Sequence, residues 1–261
     1  MSALAYDRGG VGAPLVLLHP LGGDRRVWRP LRPFLEGSRD VITVDLPGFG
    51  DSPALAEEQH PIALAGAISE LLRELGLDSR RAHLAGNSLG GWVAFEVALA
   101  GDASSVTAIA PAGLWPRALP PKPEIARTLA RMSRPALDRL VRSPGGRRLA
   151  LLGSVAHPDR VPAEDAAALV EAYAEAPGFS RVNRAMRAGT FTRLAEVDVP
   201  VTLVWPDRDR LVARPHSVPP SVREIVLRDA GHIPMWDDPE GVADAVLAGS
   251  SRTSTRQEAT A

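Results

Sequence analysis

Residues Leu84-Ala85-Gly86-Asn87-Ser88-Leu89-Gly90-Gly91 put a serine between small residues, at the point where an apolar run gives way to a helical pattern. Gly86 to Gly90 fits GxSxG, the pattern of a sharp strand-to-helix turn that exposes a serine hydroxyl at the top of a sheet. Glycines suit the flanks because a Cβ there would crowd the bend. The pentapeptide also arises by chance in glycine-rich chains, so its weight depends on what surrounds it. Ser88 is the candidate nucleophile.

On either side of this turn, short continuous apolar runs of the kind expected for strands buried on both faces alternate with helical segments. Ala13 to His19 is one such run and ends at Pro20-Leu21-Gly22-Gly23; a helical segment over 27–35 follows. Val41 to Asp45 is a second run, closed by the loop Leu46-Pro47-Gly48-Phe49-Gly50-Asp51-Ser52. Ile68, Leu71, Leu72 and Leu75 recur at helical spacing and mark one apolar face. Residues 82–86 lead into the serine turn, 92–100 continue it as a mostly apolar helix, and 106–110 form the next strand. From 114 to 196 the patterns are helical, as at Ile125, Leu129 and Met132, with no convincing strand, and this segment reads as an inserted helical cap. The sheet resumes at 201–205 and 223–227. A last helix starts at Pro239, with Asp238 as its N-cap.

The resulting division is a core of residues 1–113 and 197–248, a cap of 114–196 and a polar tail of 249–261 expected to be disordered. Strands alternating with helices predict an α/β fold with a parallel sheet, which receives its ligands beyond the carboxyl ends of the strands. Three polar features fall there: Ser88, the loop Pro206-Asp207-Arg208-Asp209-Arg210, and the loop Asp229-Ala230-Gly231-His232. A serine, then an acid, then a histidine is the order in which a nucleophile, an orienting carboxylate and a base occur in one class of α/β enzymes. Either Asp207 or Asp209 fits the acid.

Composition narrows the class further. The 261 residues carry 45% hydrophobic and 23% charged side chains with a formal charge of −1, which lacks the basic surplus of a general nucleic-acid binder. The absence of cysteine excludes disulfides and thiolate catalysis. No GxGxxG, HExxH or calcium-loop pattern occurs, so neither an organic cofactor nor a metal is expected. The N-terminal residues lack the basic start and apolar run of a signal peptide, and no stretch is long enough to span a membrane, so the expected location is the cytoplasm. Between Arg117 and Arg193 there are 14 Lys and Arg against 7 Asp and Glu. That surplus suits either an anionic substrate, such as a carboxylate or a carrier-bound acyl group, or a set of solvated arginine faces. The second is favoured because several arginines alternate with apolar positions. His60, His83, His157 and His216 show no partner pattern and read as surface or loop histidines.

From about residue 5 to 248 the chain resembles the α/β-hydrolase superfamily. The matching stretches are the His19 loop, Leu46 to Ser52, Gly86 to Gly91, Trp205 to Val212 and Gly231-His232-Ile233-Pro234. It is most similar to small cap-bearing esterases and carbon–carbon bond hydrolases. It departs from them at Pro20 and Pro206, where the family usually has glycine, and its short N-terminus puts the family's first antiparallel strand in question. The resemblance implies a mostly parallel twisted sheet flanked by helices, and acyl transfer in which Ser88 attacks, His232 moves the proton and an aspartate holds the imidazole. In the family pattern the acid lies three residues after the glycine that ends the strand. With Pro206 in the glycine's place that residue is Asp209, leaving Asp207 to cap its own turn. An acid after the 106–110 strand, used by some members, is excluded because no Asp or Glu occurs between Asp102 and Glu124. The resemblance also makes the backbone N–H groups of Leu21 and Leu89 the oxyanion donors, and gives His19 the task of shaping the loop before Leu21.

The expected activity is hydrolysis of an ester, thioester, lactone or activated carbon–carbon bond in a small molecule. The alternatives are non-hydrolytic use of the same site, as in a perhydrolase, lyase or cyclase, and a ligand-binding receptor on a hydrolase scaffold.

Overall fold

Apolar runs with no polar face can be stable strands only when both faces are covered, and that is how they fold here. In the computed structural model, which describes residues 4–56, 59–77, 82–120 and 124–251, the strands are β1 (Tyr6–Gly10), β2 (Ala13–Leu18), β3 (Arg39–Val44), β4 (His83–Asn87), β5 (Ser105–Ile109), β6 (Val201–Pro206) and β7 (Arg223–Leu227). They form one sheet in the order β1-β3-β2-β4-β5-β6-β7, parallel throughout except for β1, which runs antiparallel to β3. Successive residues of β2 feed opposite faces. Leu15 and Leu17 enter a core with Trp28, Met235 and Val246, while Val16 and Leu18 enter another with Ile42, Leu84 and Phe95.

The helices are α1 (Arg32–Leu35), α2 (Pro61–Glu74), α3 (Leu89–Leu99), α4 (Ile125–Met132), α5 (Arg134–Leu140), α6 (Pro144–Ala150), α7 (Ala163–Glu175), α8 (Phe179–Ala188) and α9 (Pro239–Ser250). α3 is apolar almost all round, so it must be covered on every side. Only Glu96 and Leu99 in it are less than fully buried, and Trp92 packs edge-on against Trp115 and near Phe191. Helices α4 to α8 lie in the long connection between β5 and β6. Asp238 caps α9 as expected, its side chain accepting from the Gly241 N–H at 2.9 Å.

The structure corrects three expectations. The N-terminus does supply an antiparallel strand, β1, whose residues are mostly exposed at the sheet edge and so carry no apolar signal. The helix expected over 27–35 is a 3-10 segment, Arg25–Leu31, followed by the single turn of α1; Asp24 caps it and Pro30 lies inside it. Gly249 and Ser250 close α9 rather than opening a tail, and the rest of the expected tail, from 252 on, lies outside the described residues.

The strand order decides where a ligand can sit. β2 pairs with β3 on one side and β4 on the other, so the connections after β2 and β4 leave in opposite directions and open a crevice at their carboxyl ends. His19 to Gly23 follow β2, and Ser88 follows β4.

At the other end of the sheet, His83 begins β4, its Nδ1 lying 2.8 Å from Ser105 Oγ and 3.0 Å from Ser104 Oγ. Burial, with the Arg39 charge adding to it, pushes its pKa down to about 4. A base whose folded pKa is depressed refuses a proton that the unfolded chain accepts. Stability is therefore fully present above about pH 6.5 and is lost as the pH falls toward 4. Because solvent still screens part of the ring, we expect a loss on the order of 1–2 kcal/mol between pH 7 and 4.5. Urea unfolding at the two pH values should show a smaller loss in His83→Asn than in the parent.

Candidate active site

Ser88 has φ 54° and ψ −112°, a conformation non-glycine residues rarely adopt, with a cost of order 1–3 kcal/mol. The surroundings enforce it. The Ser88 N–H donates to the Ile109 carbonyl at 2.9 Å, and its own carbonyl accepts from Gly91, Trp92 and Ala112. The flanking glycines are required by space: a Cβ on Gly86 would lie 2.2 Å from the Gly90 carbonyl oxygen, and one on Gly90 would lie 2.1 Å from that of Leu18. The second contact presses the start of α3 against the end of β2, bringing Leu89 toward the loop that holds Leu21. Among the described residues neither the Leu21 nor the Leu89 N–H donates a hydrogen bond. The Ser88 hydroxyl likewise bonds to no other group among them.

His19 is fully buried and shapes the first of these loops. Its Nε2 accepts from the Leu46 N–H at 2.9 Å, so Nδ1 carries the hydrogen and donates to the Pro20 carbonyl at 2.8 Å. Burial lowers its pKa. With both ring nitrogens committed, His19 has none left for proton transfer. The next loop is held by Asp45, whose carboxylate accepts from the Arg25 and Asp51 N–H groups and pairs with the Arg25 guanidinium. Gly50 lies so close that a Cβ would fall 2.1 Å from that carboxylate.

Asp209 and His232 come together. His232 Nδ1 donates to Asp209 Oδ2 at 2.7 Å, and both side chains are buried, at 7% and 5% exposure. The other oxygen, Oδ1, accepts from the N–H groups of Leu211 (2.7 Å) and Val212 (3.1 Å), which fixes the carboxylate. Among the described residues nothing bonds to Nε2, which is left to accept. Asn87, just before Ser88, ties this pair to β4 by donating from Nδ2 to the carbonyls of His232 and Ile109, each at 3.0 Å.

Asp207 does not cap its own turn. Its Oδ1 accepts from the Asp229 N–H at 2.7 Å, joining the loops after β6 and β7. Three of the histidines read as unpartnered have partners: His60 caps α2 and meets the Trp92 ring edge-on, His83 sits between two serines, and His157 Nε2 lies 2.9 Å from Asp229 Oδ2. The sequence reading also missed Asp237, which bonds three backbone N–H groups. Its neighbour Asp238 and Pro239 had already accounted for that stretch as a helix start.

The helical insertion lies over the loop that follows β2. Gly22, at φ 75°, leaves room for Tyr173 and Phe179, which a Cβ would meet at 2.9 and 3.0 Å. Arg127 stacks on the Phe179 ring and donates to the carbonyls of Tyr173 and Ala176.

This sheet, elbow and pair of loops define a class. Residues 15–245 match the model of the alpha/beta hydrolase family. The chain is 35% identical over 199 residues to the epoxide hydrolase EphH of Mycobacterium tuberculosis, a match covering 71% of this chain and 92% of that one. Over 98 residues, 37% of this chain and 36% of the relative, it is 40% identical to the pimeloyl-[acyl-carrier protein] methyl ester esterase of Aeromonas hydrophila. An esterase from Thermogutta terrifontis has a similar structure, with a TM-score of 0.70 at 25% identity, covering 97% of this chain and 94% of that one. The chain belongs to the alpha/beta hydrolase family and is an enzyme of its hydrolase type. No helix among the described residues is long and apolar enough to cross a membrane.

Proposed function

We propose that the enzyme hydrolyses an ester, thioester, lactone or activated carbon–carbon bond of a small molecule through an acyl-enzyme on Ser88. The observation that carries this reading is the buried Asp209–His232 pair, tied by Asn87 to the strand that presents Ser88. His232 Nε2 takes the Ser88 proton as Oγ attacks the carbonyl, then returns it to the leaving group; water repeats the cycle to release the acid. The nucleophile–base contact tightens in the substrate complex in such sites. The N–H groups of Leu21 and Leu89, unspent among the described residues, receive the oxyanion, each worth roughly 3 kcal/mol of barrier.

The nucleophile's chemistry argues against epoxide opening despite the relative of that name. A serine oxygen attacking an epoxide carbon leaves an ether, which water does not release, whereas attack on a carbonyl leaves an ester that the same base can hydrolyse. Helices α4 to α8, residues 114–196, act as the cap that selects the acyl group, with Tyr173 and Phe179 as its inner wall. Six of the arginines in this segment are already engaged: Arg134, Arg148 and Arg193 with acids, and Arg127, Arg147 and Arg187 with backbone carbonyls. This supports solvated faces over an anion-attracting cap and a free acyl ester over a carrier-bound one; the pimeloyl esterase relative supports the latter.

A panel of p-nitrophenyl esters of graded chain length tests the reading. We expect turnover with a preference for one acyl length, and covalent modification by a fluorophosphonate. Absence of both turnover and modification would overturn the acyl-enzyme on Ser88.

A further inference from the structure

Asp237 stands five residues after His232, beyond a short 3-10 turn at Pro234–Trp236, and its carboxylate gathers donors from two distant parts of the chain. Oδ2 accepts from the Gly231 N–H at 2.8 Å and the Ala156 N–H at 2.9 Å, and Oδ1 accepts from the His157 N–H at 2.8 Å. Gly231 immediately precedes His232; Ala156 and His157 belong to the helical insertion. On the other side of His232, the Ile233 N–H donates to the Ser154 carbonyl at 2.7 Å. The two backbones touch between these bonds, since a Cβ on Gly231 would lie 2.7 Å from the Ala156 nitrogen. Ile233 and Trp236 pack into the insertion's own apolar cluster with Leu151, Val155 and Val161. The peptide on each side of the histidine is therefore fastened to residues 154–157. On one side the fastening runs through a single carboxylate.

We infer that Asp237 is a positioning residue for His232, the joint through which the helical insertion sets where the imidazole stands relative to Ser88. This rests on the reading of His232 as the base. Bonds from backbone donors to a carboxylate are stronger than neutral ones, and an amide in its place has one acceptor oxygen and turns donors toward donors. Loss of the joint lets Gly231 shift, and a displacement of about 1 Å at a reacting group costs on the order of 100-fold in rate.

Asp238 is the control built into the chain. It stands next to Asp237 and caps α9 through Gly241, so its removal loosens the same helix end without touching Gly231 or the insertion. We expect Asp237→Asn to lower kcat for a p-nitrophenyl ester, and the rate of Ser88 modification by a small phosphonate, by about 10- to 100-fold together, with KM changed less than about threefold. Asp238→Asn should leave kcat intact, because asparagine caps a helix about as well as aspartate. The proton on His232 Nδ1 supplies a readout independent of turnover: its downfield NMR resonance, sharp in the parent, should broaden in Asp237→Asn and stay sharp in Asp238→Asn. Equal kcat and equal resonances in the two variants overturn the inference. If Ser88→Ala keeps its activity, the acyl-enzyme reading fails while the resonance still reports on the joint. Should Asp237→Asn not fold, hydrogen exchange in the parent decides. The Gly231, Ala156 and His157 amides should exchange slowly and at one common rate, and fast exchange at Gly231 alone would refute the joint.

Discussion

Ser88→Ala is expected to lower kcat for ester hydrolysis by about 10⁶-fold and to abolish modification by a fluorophosphonate, with the melting temperature nearly unchanged. The size follows from the arrangement. In the proposed mechanism the Asp209–His232 pair, without Oγ, has no group to deprotonate, and the Leu21 and Leu89 N–H groups alone retain only a small part of the acceleration. Stability should hold because the strained backbone at Ser88 is imposed by neighbours, the Ile109 carbonyl and the close-packed Gly86 and Gly90, and alanine bears the same strain as serine. Intact-protein mass spectrometry after treatment with the phosphonate gives the answer, and an adduct on the alanine variant would remove Ser88 from the nucleophile's role.

The second large effect separates two neighbouring aspartates. Asp209→Asn should lower kcat by about four orders of magnitude, because an amide facing Nδ1 favours the wrong imidazole tautomer and leaves Nε2 unable to accept the serine proton. Asn keeps the shape and one acceptor for Leu211 and Val212, so the protein should still fold. Asp207→Asn weakens one bond to the Asp229 N–H and should cost less than about tenfold, which corresponds to about 1.4 kcal/mol of barrier. Steady-state kinetics of the two variants, measured side by side, rank them; the reverse order would transfer the orienting role to Asp207.

What the sequence made legible has short-range causes. Gly86 is visible because its space requirement is met within five residues, at the Gly90 carbonyl, and the strands β2 to β6 are visible because covering both faces demands unbroken apolar runs. β1 was hidden because an exposed edge strand, here Tyr6-Asp7-Arg8-Gly9-Gly10, needs no apolar face. Asp237 and His157 were hidden for a different reason. Apart from Gly231, their partners lie more than 70 residues away, and nothing in the local pattern separates an aspartate that receives distant backbone donors from one that only begins a helix. Asp207 falls between the two: its loop was read, its partner across the sheet was not.

The two ends of the helical insertion meet where they leave the sheet. The Ala110 N–H donates to the Val204 carbonyl at 2.8 Å, the Phe191 N–H to the Gly113 carbonyl at 2.7 Å, and Trp115 Nε1 to the Gly189 carbonyl at 2.8 Å. Entry and exit are thus one hydrogen bond apart, so residues 114–190 have the geometry of an exchangeable cassette. A foreign segment of any length could be spliced between Gly113 and Phe191 without stretching β5 from β6. A graft chosen by its ends alone would still leave Asp237 Oδ1 without its donor and the Ile233 N–H without its acceptor on the core, so a working chimera has to bring its own counterpart of residues 154–157.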